Sequence, residues 1–410
     1  MKILVLAGGF DQIALIKILQ SQGHEVILAD YYDNPPAKKY VDKHFQISTL
    51  DETKIYNLAI VEKVDLITTA CTDQALLTVA KVSEKMGLPC YIGTETAQKV
   101  TNKAYMKKNL FELGIPTAQF IVLDELDNIG VILENMEFPL VVKPCDCNSS
   151  KGVVKVTNQL DLKKAIKNAF FYSRTKKAIV ETFIKGEEIS IDAWKDKEGV
   201  KILSISKTEK IKTTMGNFTI YRSVYPVDIS DPMKIKIQTI AEKICGGFLI
   251  ENSPVLIQAI IDDADINVIE FSIRMGGGSK YKLIEYISGV DIMNVYVNRI
   301  LGDTTQVVLP NWSDKVVEID YIYANNGIFS RLIGFEEALA CGDISEMFQY
   351  KQAGSLIERR GTSSDRVVGF LIQADCGQAL EEKRYRVLDQ VDILDSEGNS
   401  MMYKACFYQE

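Results

Sequence analysis

The sequence is poor in the side chains that most often carry acid–base and metal chemistry. Two histidines in 410 residues exclude a histidine-rich zinc site and leave only His24 or His44 for a Ser-His-Asp triad. His24 lies in Gln-Gly-His-Glu-Val, which reads as a helix-to-strand turn and gives it a structural position. The eight cysteines, at 71, 90, 145, 147, 245, 341, 376 and 406, form no Cys-x-x-Cys pair. Reduced thiols in a reducing compartment are expected. No apolar run approaches the roughly 20 residues of a membrane span. Met-Lys followed by Ile3–Ala7 and two glycines is too short for a signal peptide, so a cytoplasmic protein is expected. Basic residues are outnumbered, 47 Lys and Arg against 55 Asp and Glu for a net charge of −8. Neither nucleic acid nor an anionic membrane is therefore expected as a partner.

What is present is an ordinary globular composition, 47% hydrophobic and 25% charged, long enough at about 150 residues per domain for two or three domains. Ile3–Ala7 is a continuous apolar run, as a strand buried on both faces of a parallel sheet requires. Gly8-Gly9 follows, then apolar residues at helical spacing (Ile13, Leu15, Ile16, Ile18, Leu19), Gly23, and a second run at Glu25–Ala29. This is a βαβ unit. A third repeat consists of Asp65–Thr69, a helix near 73–86 and Leu88-Pro-Cys-Tyr91. Asp30 stands where a dinucleotide-binding acid would, but the turn 7–12 has only adjacent glycines and lacks G-x-G-x-x-G. A Rossmann-like layer without a dinucleotide is the better reading; a nicotinamide-dependent oxidoreductase is the remote one.

The chemistry-bearing residues lie between 101 and 280. Thr101-Asn-Lys103 opens a helix that ends at Gly114-Ile-Pro116, and Phe138–Lys143 is a short apolar strand ending in a lysine. The small polar loop Cys147-Asn-Ser149-Ser150-Lys151-Gly152-Val153 can turn several N–H groups towards one anion. Ala178–Asp192 reads as a strand containing Glu181, a turn at Gly186, and a strand containing Glu188; the main chain at Thr182, Phe183 and Ile184 is free at the first strand's end. Leu256–Ile260, an acidic turn at 262–265, and Asn267–Gly278 form a hairpin. On it Glu270, Ser272 and Arg274 share a face by alternation, and Gln258 points to the same side. Such a row of oxygen ligands suits Mg²⁺, which completes its shell with phosphates and water, and Arg274 suits developing anionic charge. Taken singly, each feature also has an ordinary explanation: a surface hairpin, solvated edge-strand charges, a polar sheet face.

Together, in order and at these spacings, the motifs resemble the ATP-grasp superfamily, in particular its carboxylate–amine ligases. The motifs are Asn-Lys-x-x-Met with Gly-Ile-Pro, Val-Val-Lys-Pro, the serine-rich loop, Val-Glu-x-Phe-Ile-x-Gly-x-Glu-x-Ser-x-Asp, and Val-Ile-Glu-x-x-x-Arg-x-Gly-Gly. The resemblance implies an α/β fold of ATP-grasp architecture: a Rossmann-like pre-ATP-grasp domain over 1–100, two α+β ATP-grasp subdomains over 101–305 with a lid at about 115–185, and a small α+β extension over 306–410. It implies that Lys103 and Lys143 hold ATP phosphates beneath a lid loop in which Ser149 and Ser150 bind ATP and Lys151 is catalytic. Glu181 is similar to the residue that receives the adenine amino group, with Thr182, Phe183 and Ile184 at the base edge, and Glu188 to the ribose acceptor. Gln258, Glu270 and Ser272 are implied to ligate Mg²⁺ (or Mn²⁺), and Arg274 to stabilise the transferred phosphoryl group.

Two positions depart from the pattern. The family usually has Glu at 258 and Asn at 272; Gln258 is similar to the carbamoyl-phosphate synthetase branch, whereas a serine hydroxyl reaches less far than an amide. The implied reaction uses ATP to convert a carboxylate to an acyl phosphate, which an amine attacks, releasing ADP and phosphate; the protein contributes positioning and charge neutralisation. The partners are then small-molecule carboxylates and amines, and a homodimer is open. The alternatives are an ATP-binding protein with a degenerate metal site, and a carboxylase or formate-using ligase of the same superfamily. Gly276, Gly277 and Gly278, followed by Ser279 and Lys280, are candidates to cradle a substrate carboxylate. Lys207, Tyr221 and Arg222 are further pocket candidates. In the last region, strands are expected at Val316–Tyr323 and Val367–Ile372, a helix near 377–388, and a solvated helix face at 381–386.

Overall fold

A computed structural model describes residues 1–124, 129–211, 218–262, 264–309 and 312–404. Cys406 and Asp263 of the acidic turn lie outside the described residues. The N-terminal layer is a four-stranded parallel sheet in the order Lys43–Gln46, Glu25–Asp30, Lys2–Leu6, Leu66–Thr68. Ile3, Leu4, Val5 and Leu6 are wholly buried because helices cover both faces. Helix Gln12–Ser21 packs on one side and helices Glu52–Glu62 and Asp73–Met86 on the other. The expected strand at 88–91 does not form: these residues follow the left-handed cap at Gly87 as irregular chain, and Pro89 removes one ladder donor. Asp30 spends its carboxylate on the Gly8 N–H (2.6 Å) and the Tyr32 N–H (2.8 Å). Pro35 fills the space a Cβ at Gly8 would need, so the Gly8-Gly9 turn is shaped by packing.

The second layer is a small antiparallel sheet, ordered Phe120–Leu123, Ala178–Thr182, Leu140–Pro144, Val154–Val156. Helices Ile129–Asn135 and Gln159–Tyr172 bury its apolar face.

The third is an eight-stranded antiparallel sheet: Ile266–Ser272, Ser253–Ile261, Glu187–Asp196, Gly199–Lys210, Ile220–Tyr225, Val316–Tyr323, Arg366–Ala374, Glu346–Gln349. Helix Asp231–Gly247, with Ser230 accepting the Met233 N–H as its cap, packs its apolar stripe on the first strands of this sheet. Residues beyond 316 thus extend the sheet that begins with the 253–272 hairpin.

The strands on either side of the expected turn at Gly186 belong to different sheets, so Gly186 is a crossover between them. Its φ of 148° and a Cβ position only 2.3 Å from the Ile261 carbonyl oxygen leave no residue but glycine there. Within the charged run 381–386 of helix Gly377–Gln390, Arg384 departs from the expected solvated face. It is 7% exposed and turns inward to Glu318 (3.9 Å) as well as to Glu381.

Candidate active site

Between the small sheet and the 253–272 hairpin lies a cleft of about 840 Å³, measured with its open mouth. Its lining includes Lys103, Lys143, Ser149, Ser150, Glu181, Thr182, Phe183, Ile184, Glu188, Gln258 and Glu270. Apolar walls come from Ala118, Val141, Ile260 and Ile269. Lys103 is the first residue of helix Lys103–Glu112, whose cap is Asn102, accepting from the Ala104 N–H at 3.0 Å. That position puts its ammonium 2.7 Å from the Cys147 carbonyl and 3.2 Å from Glu270. Lys143, near the end of its strand, donates to Glu181 at 2.8 Å.

A third lysine was not anticipated. Lys107, 1% exposed, sits one helical turn after Lys103 and donates to Thr117 Oγ1 (2.6 Å) and the Val268 carbonyl (3.2 Å), with Glu181 at 3.6 Å. The i, i+4 spacing from Lys103 was the available signal.

Electrostatics follow from this crowding. Burial alone would push the Glu181 carboxyl up, but Lys107 and Lys143 outweigh it and hold it below the usual range. Glu270 behaves likewise under Lys103 and Lys143. Burial, only partly offset by Glu181, pulls the Lys107 ammonium down to about 8. Glu181 Oε1 is buried without a hydrogen-bond partner among the described residues. The Thr182 and Phe183 N–H groups are spent on the Gln119 (3.0 Å) and Pro139 (3.1 Å) carbonyls, so these two donors of the expected base edge are already in use. Glu188 pairs with Lys210, whose ammonium lies 4.8 Å from the Phe218 ring centre.

Of the remaining expected residues, Lys151, Ser272, Arg274, Gly276–Gly278 and Arg222 lie apart from this lining. In the loop, Ser149 and Ser150 take φ of 56° and 60°, and Ser150 Oγ donates to the Phe218 carbonyl at 3.2 Å. Lys151 points to the outer side, over the Tyr172 ring at 5.0 Å. Gln258 and Glu270 are cross-strand partners and fit a divalent cation with one amide and one carboxylate oxygen. Ser272 stands outside that lining and donates its hydroxyl to Asp73.

Arg274 is gripped by the same Asp73, its Nε at 2.7 Å from Oδ1 and its Nη2 on Oδ2. Burial would raise the Asp73 carboxyl, yet Arg274 and the Ser272 hydroxyl bring it below its ordinary value. Asp73 begins its helix just past the C-terminal end of strand Leu66–Thr68, where open α/β sheets place ligands.

The expected glycine cradle is also filled. Asp11, at the corresponding end of the first strand, accepts the Gly278 N–H (3.0 Å) and the Ser279 N–H (2.9 Å). Arg222 is likewise committed, to Asp320 at 2.8 Å and Glu209 at 3.3 Å, with Glu318 at 3.8 Å.

Residues 136–281 match the family model described as the ATP-grasp domain. The chain is 30% identical over 256 residues to the formate-dependent phosphoribosylglycinamide formyltransferase of Methanocaldococcus jannaschii, a match covering 60% of this chain and 64% of that protein. The chain thus spans just under two thirds of that curated relative's length.

Among solved structures it is similar to the L-amino acid ligase from Bacillus licheniformis (20% identity, TM-score 0.76, 96% of this chain and 98% of that one). It is also similar to the biotin carboxylase domain of the Hydrogenobacter thermophilus 2-oxoglutarate carboxylase, solved with MgADP, ADP and bicarbonate (15% identity, TM-score 0.77, 96% and 90%). At these identities the two structures establish the fold. Among the described residues no helix is long and apolar enough to cross a membrane.

Proposed function

We infer that the protein is an ATP-dependent ligase that activates a carboxylate as an acyl phosphate and couples it to an amine, releasing ADP and phosphate. The observation that carries this reading is the gathering of three lysine ammonium groups, from Lys103, Lys107 and Lys143, around Glu181 and Glu270 in one cleft with apolar walls. A triphosphate needs such cations, and a purine needs a narrow apolar slot with a polar edge. Glu181 Oε1, unpartnered within the described chain, suits an exocyclic amine, and Glu188 suits a ribose hydroxyl. Glu270 and Gln258 would hold Mg²⁺ (or Mn²⁺), with water and phosphate oxygens completing the shell. Bound there, the ion supplies positive charge between the phosphates. Lys103 keeps Glu270 ionised for that duty. Arg274 then meets the charge that builds on the phosphoryl group in flight, and Asp73 sets where its guanidinium points. In this reading residues 1–100, 101–305 and 306–410 act as the pre-ATP-grasp, ATP-grasp and C-terminal parts, with the small sheet at 115–185 as lid.

The test is ADP release across pairs of carboxylates and amines, with formate and bicarbonate among the acids and mass analysis of products. Acid- and amine-dependent ADP release is expected, and Glu270→Ala should abolish it. Undiminished turnover in that variant refutes the site assignment.

A second reading, nucleotide binding without ligation, is favoured by one observation: Asp73 holds both Ser272 and Arg274. Nucleotide binding with no ADP release over the whole panel selects it.

A further inference from the structure

A second polar cluster lies around the Gly276–Gly278 turn, separate from the lining of the cleft. Lys280, the first residue of helix Lys280–Ser288, is 6% exposed, and its ammonium donates to Ser206 Oγ. Arg366, from the far strand Arg366–Ala374, lays its guanidinium on the Tyr321 ring, 3.9 Å from the ring centre. Its Nη1 is 2.5 Å from the point where a Cβ on Gly278 would stand, so only glycine admits it there. Its Nε is buried and donates to nothing among the described residues. Neither cation has a carboxylate within 4.0 Å among the described residues. The nearest part of the third charged group, Asp192 Oδ1, lies 3.5 Å from the Cβ position of Gly276 and is buried without a partner, while Oδ2 accepts from Ser204 at 2.9 Å.

Buried charges whose donors and acceptors are only partly used, here Arg366 Nε and Asp192 Oδ1, are unfavourable unless something supplies the missing contacts. A lone anion would satisfy Arg366 and Lys280 but face Asp192; a lone cation would satisfy Asp192 but face the other two. A molecule carrying both charges on neighbouring carbons meets all three. The turn itself carries no side chains, and Asp11 takes its Gly278 and Ser279 N–H groups.

We propose that Arg366, Lys280 and Asp192 bind the head group of an α-amino acid, its carboxylate at Arg366 and Lys280 and its ammonium at Asp192. This deepens the ligase reading by naming the substrate class, and it rests on that reading only in taking the amino acid as a substrate.

The test is a thermal-shift titration of the full chain, with and without a nonhydrolysable ATP analogue, using each of the twenty proteinogenic amino acids. The amide and the des-amino acid of the strongest binder follow. At least one amino acid is expected to give a saturable rise in Tm, with its amide and des-amino acid bound tenfold or more weakly. Arg366→Met and Lys280→Met should weaken the amino acid tenfold or more and leave the amide unchanged, and Arg366→Lys should recover part of the affinity. Asp192→Asn should weaken the amino acid and spare the des-amino acid. Analogue binding should persist in all of these variants. No saturable response to any amino acid, an amide that binds as well as its acid, or full affinity in both Arg366→Met and Lys280→Met would overturn the proposal. Should Arg366→Met fail to fold, Lys280→Met and Arg366→Lys decide it. Analogue binding in the wild-type protein is read separately: its absence sinks the ATP-dependent reading and leaves the amino-acid result standing.

Discussion

At Lys107 a charge is held where water cannot reach it. Its folded-state value of about 8 lies below the ordinary 10.5 of lysine, so between those two values the unfolded chain binds more protons than the folded one. Stability from this residue therefore rises as pH climbs from about 8 towards 10.5, by on the order of 3 kcal/mol. Denaturant unfolding at pH 8 and at pH 10 checks this: Lys107→Met should remove the upward difference seen in the wild-type protein. Asp73 poses a different question, because it fixes the direction of Arg274 without lining the cleft. Asp73→Asn should lower turnover at least tenfold and leave nucleotide affinity within about twofold, as expected when a transition-state contact is misplaced. A matching loss of nucleotide affinity would place Asp73 in ground-state binding. Both residues show the limit of reading a chain in one dimension. Lys103, Lys143, Glu181 and Glu270 sit in local patterns that name them. Asp73 meets residues about 200 positions away, and nothing beside it in sequence announces that meeting.

Among the elements, those with strong local patterns were legible. Strands Lys2–Leu6 and Glu25–Asp30 carry unbroken apolar runs and the 253–272 hairpin alternates, whereas Lys43–Gln46 (Lys-His-Phe-Gln) has no such pattern and went unread. What periodicity does not encode is which strand pairs with which. Glu187–Asp196 follows Ala178–Thr182 after four residues yet joins another sheet. The order that places Ile220–Tyr225 beside Val316–Tyr323 spans about 90 residues of intervening chain. The Gly186 crossover carries a clear energetic consequence. Gly186→Ala forces a Cβ against the Ile261 carbonyl at a φ that other residues avoid, and should cost roughly 2–4 kcal/mol. A lowered denaturation midpoint with an unchanged m-value would report it, and an unaltered midpoint would show that the two sheets meet less tightly than described.

For the whole molecule, the N-terminal layer grips the segment 272–279 at two points, Asp73 at one end and Asp11 at the other. Removing both carboxylates in Asp11→Ala/Asp73→Ala should leave nucleotide binding in place while speeding amide hydrogen exchange in 272–280 at least tenfold. Unchanged exchange there would mean that packing alone holds the segment. The eight-stranded sheet has a further implication. Because Val316–Tyr323 hydrogen-bonds directly to Ile220–Tyr225, a chain truncated after residue 305 would bare a row of main-chain donors and acceptors along the latter strand. Such an unshielded edge recruits strands from other molecules, so the shortened protein is expected to precipitate on expression, and trimming the chain for crystallisation should begin elsewhere.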